Sequence, residues 1–206
     1  MNELDALVNI DFTNRTIKPQ LRSLSIFRFG TCGSLQAHIP VDSFVAGSHG
    51  LGFDNVMHYY SEQCTKEETQ MIDAFIAHTG LKGNVTPYIF TGSNELLQHF
   101  SKGFYQGITV GCPGFYGPQG RVLRLGLAYP GLIEKLTDFR FGNTFISNFE
   151  METSAIYGLG RALRHRCLSL NVIVANRVLK QFSKDGAAAV ENLIKASLEV
   201  IAAHNL

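Results

Sequence analysis

The sequence predicts one continuous α/β domain, and three observations carry that expectation. Short apolar, β-branched runs alternate along the chain with segments whose apolar residues recur at helical spacing. One run, Leu168 to Ala175, is apolar enough for a central strand covered on both faces. At Ser147–Ala155 a strand-like run stops at two carboxylates, Glu150 and Glu152, and a helical pattern follows through Ala155, Ile156, Leu159, Ala162 and Leu163. In an open α/β sheet such a junction is the ligand-binding edge. Taken alone, the two acids read equally well as helix N-terminal residues favoured by the macrodipole.

The elements follow in order. Leu4, Leu7 and Val8 predict a short amphipathic helix, and Leu24 through Gly30 a buried strand ending in a Thr31-Cys32-Gly33 turn. Val41 to Ala46 predicts another strand, followed by a glycine-rich loop holding His49 and Asp54. Thr65-Lys66-Glu67-Glu68 has capping-box form ahead of a helix face of Met71, Ile72, Phe75 and Ile76. Tyr88 to Thr91 is a strand candidate, and Ser93 caps a short helix through Leu96, Leu97 and Phe100. Ile108 to Cys112 makes a further strand, stopped by Pro113 and Gly114, while Phe145 and Ile146 carry the β pattern in front of the carboxylates. Ala187, Val190, Leu193, Ile194, Leu198 and Ile201 mark a closing helix. No internal repeat, linker or low-complexity tract interrupts the series.

Composition limits the function. The 206 residues suit one domain, 1–206, and 45% hydrophobic content suffices for one large core. Lys and Arg total 18 against 17 for Asp and Glu, a formal charge of +1, so no global field points to nucleic acid or an anionic membrane. Small neutral or locally charged ligands are better candidates. No run approaches the roughly 18 apolar residues of a spanning helix, and the N-terminus lacks a signal-peptide layout, so the expectation is a soluble cytoplasmic protein. Cys32, Cys64, Cys112 and Cys167 lack metal-ligand spacing and read as reduced thiols, with neither disulfides nor a metal expected.

Four segments at strand ends carry polar chemistry. Phe27-Arg28-Phe29-Gly30-Thr31-Cys32-Gly33 places an arginine inside an apolar strand, where it needs an anionic partner. Arg28, Thr31 and the amides around Gly33 could grip phosphate; the alternative is a structural pair with Asp or Glu elsewhere. In Phe115-Tyr116-Gly117-Pro118-Gln119-Gly120-Arg121 a loop follows an aromatic, and on an extended backbone Gln119 and Arg121 would project together. A carboxamide offers a donor and an acceptor to an imide edge such as uracil's, and Arg121 can donate to a carbonyl gaining charge. The alternative is an ordinary surface loop. At Glu150-Met151-Glu152 a carboxylate can accept from vicinal sugar hydroxyls while Met151 packs on the sugar's apolar face. Ala175-Asn176-Arg177 could close the base side, or simply end its strand.

In this order the segments resemble the nucleoside phosphorylase family, and the uridine phosphorylases most. The resemblance rests on Arg28 through Gly33 with His38-Ile39 and Asp42 downstream, Phe115 through Arg121, Phe149-Glu150-Met151-Glu152, and Ile173 through Arg177. It implies a three-layer α/β/α fold around a central mixed sheet. It also implies that Arg28, Thr31 and Gly33 bind phosphate, and that Met151 and Glu152 hold the ribose with Glu150 in support. Gln119 and Arg121 would read a pyrimidine, with Phe115 packed on it and Ala175 beside it, and Arg28 and Arg121 would be the catalytic pair. The implied reaction is reversible phosphorolysis of uridine to uracil and ribose 1-phosphate, without a cofactor and with inorganic phosphate as co-substrate. The implied assembly is a homo-oligomer, a dimer or hexamer as in relatives. Relatives begin with further core strands and a Gly-Asp-x-x-Arg phosphate loop, a motif these residues do not contain. The expectation is therefore a fold truncated at its N-terminus, with a second phosphate arginine missing and poor or no turnover. A purine phosphorylase or nucleosidase of the same fold, or a silent nucleoside-binding fragment, are the competing readings. Ala175-Asn176-Arg177, where purine enzymes commonly carry an Asp, favours pyrimidines.

Overall fold

Strand and helix alternate through the computed structural model, which describes every residue except Gln63, Lys82 and Asn84. In chain order the elements are α1 (Asn2–Asn9), β1 (Ile10–Asp11), β2 (Thr16–Ile17), β3 (Ser25–Ser34), β4 (Phe44–Gly52), α2 (Lys66–Thr79), β5 (Tyr88–Thr91) and α3 (Asn94–Leu97). Then come β6 (Phe104–Gly111), α4 (Leu132–Asp138), β7 (Arg140–Phe141), β8 (Thr144–Glu150), α5 (Thr153–Ala162), β9 (Arg166–Asn176), β10 (Gln181–Phe182) and α6 (Gly186–His204). Strands β1 and β2 pair as a small separate hairpin.

The other strands form one mixed sheet. Strand β3 runs parallel to β9 from Ser25 opposite Arg166 to Ser34 opposite Asn176. Strand β6 lies between β4 and β8, parallel to both. Two short antiparallel contacts join these groups: Gly33 and Ser34 of β3 on Phe149 and Asn148 of β8, and Phe44–Ala46 of β4 on Val172–Leu170 of β9. The sheet thereby curls into a ring of β9, β3, β8, β6 and β4, with β5 and β10 continuing from β4 and β9.

Helices cover it on more than one side, as the apolar pattern demands. Met71 and Phe75 of α2 and Leu136 of α4 pack on Leu51, Ile108, Val110 and Ile146 of the sheet. Ala189 and Leu193 of α6 pack on Leu168, Leu170 and Val172 of β9. Tyr157 of α5 joins Phe90 and Met57 in a third cluster, and its hydroxyl donates to the Gly47 carbonyl at 2.6 Å. The expected mixed sheet flanked by helices is thus the observed fold.

Two local expectations are corrected, both at glycines. Strand β3 runs straight through Thr31-Cys32-Gly33, so no glycine turn is present there; a register shift between Cys32 and Gly33 is the only irregularity. The glycine-rich stretch after Ala46 is the body of β4. A Cβ at Gly50 would lie 2.8 Å from the Ser154 Cα, so glycine is required here for the close approach of α5, not for a turn. The capping box is as expected: the Thr65 hydroxyl accepts from the Glu68 amide at 3.2 Å, and the Glu68 carboxylate accepts from the Thr65 amide at 2.7 Å.

Candidate active site

The site grows from the β8–α5 junction. Strand β8 ends at Glu150, whose buried carboxylate accepts from the amides of Glu152 (2.9 Å) and Thr153 (3.1 Å). These are orphan donors of the first turn of α5, so Glu150 serves as the helix-terminal acid that the simpler reading proposed. It also faces Arg28, with Nη2 3.2 Å away. Burial raises its carboxyl above the ordinary range, while Arg28 and the two amides pull it back down.

Arg28 lies in β3 with its guanidinium folded back over Gly30. A Cβ on Gly30 would stand 2.7 Å from Arg28 Cζ, so only glycine leaves this space. Arg28 Nη1 donates to Asn171 Oδ1 at 2.6 Å, and Nη2 pairs with Glu152 as well as Glu150. The structural pairing considered for this arginine therefore exists. It coexists with an outlook on the cleft, because Arg28 keeps 17% of its side-chain surface exposed and Glu152 keeps 53%. A turn of amides at Thr31–Gly33 is absent, so an anion there would meet Arg28 and the exposed Thr31 on an extended strand.

The Phe115–Arg121 loop differs from the extended arrangement expected. Gly117–Gln119 forms a single 3-10 turn, and Gly120 at φ 68° reverses the chain. Gln119 and Arg121 nonetheless converge: Arg121 Nη1 donates to Gln119 Oε1 at 2.5 Å and to the Phe115 carbonyl at 2.6 Å. The Arg121 guanidinium stacks 3.7 Å from the centre of the Phe115 ring. Burial, and Arg177 nearby, lower the Arg121 pKa from its ordinary value.

Arg28, Thr31, Gly33, Phe115, Gln119, Arg121, Glu150, Met151, Glu152 and Ala175 all line one cleft of about 200 Å³. Every site residue expected from the sequence is thus brought together. Asn176, by contrast, is buried and donates to the Gln36 and Ile39 carbonyls, both at 2.9 Å, so it ends β9 structurally. Cys32 also borders the cleft, but burial pushes its thiol up, away from the thiolate that a nucleophile needs. Sequence reasoning missed Asn171. The only signal was a carboxamide in the middle of an apolar strand.

The phosphorylase superfamily model matches residues 7–202. A Trypanosoma brucei nucleoside phosphorylase, whose crystal structure is described as showing uridine phosphorylase activity, is 26% identical with a TM-score of 0.84, over 98% of this chain and 75% of that one. Uridine phosphorylase isoform 2 from Schistosoma mansoni, in complex with citrate, is 19% identical with a TM-score of 0.61, over 90% of this chain and 63% of that one. One of the uridine phosphorylases of Phytophthora capsici is 20% identical with a TM-score of 0.51, over 94% and 67% of the two chains. At these lower identities the likeness concerns fold alone. No curated protein matches the sequence. The chain therefore belongs to the phosphorylase superfamily and has the nucleoside phosphorylase fold.

Proposed function

We propose that this protein catalyses reversible phosphorolysis of uridine or a related pyrimidine nucleoside, giving the free base and ribose 1-phosphate. The observation that carries the reading is the meeting of three chemistries in one cleft: Arg28 with Thr31, Glu152 with Met151, and Gln119 with Arg121. A phosphate oxygen attacks the anomeric carbon as the glycosidic bond breaks, and the electron pair of that bond leaves with the base nitrogen, which takes a proton from water. Charge gathers on the base carbonyls, where Arg121 is already oriented by Gln119 and the Phe115 carbonyl. This is preorganised electrostatic stabilisation, and it calls for neither a covalent nucleophile nor a cofactor. Glu152 has two tasks. It holds Arg28 in this structure, and with a nucleoside bound its carboxylate accepts from the ribose hydroxyls while Met151 covers the sugar face.

The test follows base and ribose 1-phosphate release from uridine, thymidine and inosine. The reading expects pyrimidine nucleosides to be cleaved only when phosphate is supplied. Cleavage of inosine in preference would overturn the base assignment, and equal cleavage without phosphate would make the enzyme a nucleosidase.

A further inference from the structure

Strand β9 is apolar in its middle except at Ser169 and Asn171, neither of which has exposed surface. A carboxamide in that setting is costly unless its polar atoms are satisfied. Asn171 Oδ1 accepts from Arg28 Nη1 at 2.6 Å, and Asn171 Nδ2 donates to Ser169 Oγ at 3.2 Å. The Thr153 hydroxyl donates to the same Ser169 oxygen at 2.8 Å, and the Thr153 amide donates to Glu150. A buried polar chain thus runs from the first residue of α5, across β9, to Arg28. In the β3–β9 register Asn171 stands opposite Gly30, the position whose missing side chain makes room for the guanidinium.

We propose that Asn171 is a positioning residue for phosphate: it fixes one nitrogen of Arg28 from behind, so that the rest of the fork points into the cleft. The choice of a carboxamide has a physical reason. Glu150 and Glu152 also hold Arg28, but each neutralises the charge that an incoming anion needs. An amide oxygen orients the guanidinium without cancelling its charge, and Asn171 Nδ2 is itself tied to Ser169, which keeps that oxygen turned toward Arg28. The inference rests on the reading of Arg28 as a phosphate ligand.

The experiment is a double-mutant cycle read by calorimetry, with inorganic phosphate and uridine titrated separately into the full chain. Asn171→Leu keeps the volume and removes the acceptor. It is expected to weaken phosphate about tenfold while uridine affinity stays within about twofold of the parent. In an Arg28→Lys background, where no fork spans Asn171 and the cleft, the same change is expected to alter phosphate affinity by less than about twofold. Asn171→Ser, which keeps a hydroxyl but falls short of Arg28, serves if the Leu variant does not fold, and the same loss confined to the Arg28 background is expected. Unchanged phosphate affinity in the Asn171 variants, or an equal loss in both backgrounds, would overturn the inference and leave the phosphorolysis reading standing. A parent that binds neither phosphate nor uridine would remove that reading, and this inference with it.

Discussion

Arg28 has more partners than one phosphate site requires, and that surplus defines the residue-scale chemistry. Its pairing was partly legible, because an arginine in an apolar strand must meet an anion. Which partners it meets was not, since the neutral Asn171 lies 143 residues away and the carboxylate of Glu152 lies 124 away. Two outcomes follow. Gly30→Ala places a Cβ where the guanidinium lies, and a flexible side-chain end yields more easily than backbone, so the fold should persist while phosphate affinity falls about tenfold. Unchanged phosphate binding with a lowered melting point would show that this orientation of Arg28 is irrelevant to phosphate. Glu152→Gln removes a competing anion from Arg28, so phosphate binding without nucleoside should tighten while uridine binding weakens. If calorimetry finds both ligands weakened alike, Glu152 does not exchange between them. At the base side, Gln119→Leu should cost uridine roughly 1–3 kcal/mol of affinity by leaving a base edge unpaired; parent-like uridine binding would contradict the assignment.

Among the elements, α2 shows how far local rules reach. The Thr65–Glu68 box was legible because it is written in four consecutive residues. The rest of Glu68's role was not: its buried carboxylate also receives both terminal nitrogens of Arg161, at 2.5 and 2.7 Å, and the Thr91 amide and hydroxyl, both at 2.7 Å. Burial pushes this carboxyl up, but the Arg161, Thr91 and Thr65 bonds outweigh it and bring its pKa down from 4.5 to about 2. The folded value lies below the unfolded one, so the stabilisation is complete above about pH 4.5 and fades as pH falls toward about 2. Glu68→Gln should cost roughly 3 kcal/mol at neutral pH by orphaning Arg161, and urea titrations should show a flatter acid limb. An unaltered acid limb would mean that other carboxylates control acid unfolding. The misread elements, β3 and β4, share one cause. Glycine marks a turn and a close backbone approach with the same letter, and only the packing of Arg28 on Gly30 and Ser154 on Gly50 distinguishes them.

The whole molecule was legible in its alternation of strands and helices, but not in its closure. The ring depends on three residue pairs between β4 and β9 and two between β3 and β8, contacts set by sheet twist that no local pattern records. Over Ser25–Cys32, β3 pairs with β9 on one side and with no other strand among the described residues. A free edge of that length invites another chain, so these 206 residues should self-associate in light scattering, and a monodisperse monomer would contradict this. The central claim, that the cleft brings phosphate and a pyrimidine nucleoside together for reaction, is tested most directly by uracil release at high protein concentration across a phosphate series. The account predicts release, even if slow, that saturates in phosphate and yields one ribose 1-phosphate per uracil; uridine left intact over hours, or uracil released at a rate indifferent to phosphate, would contradict it.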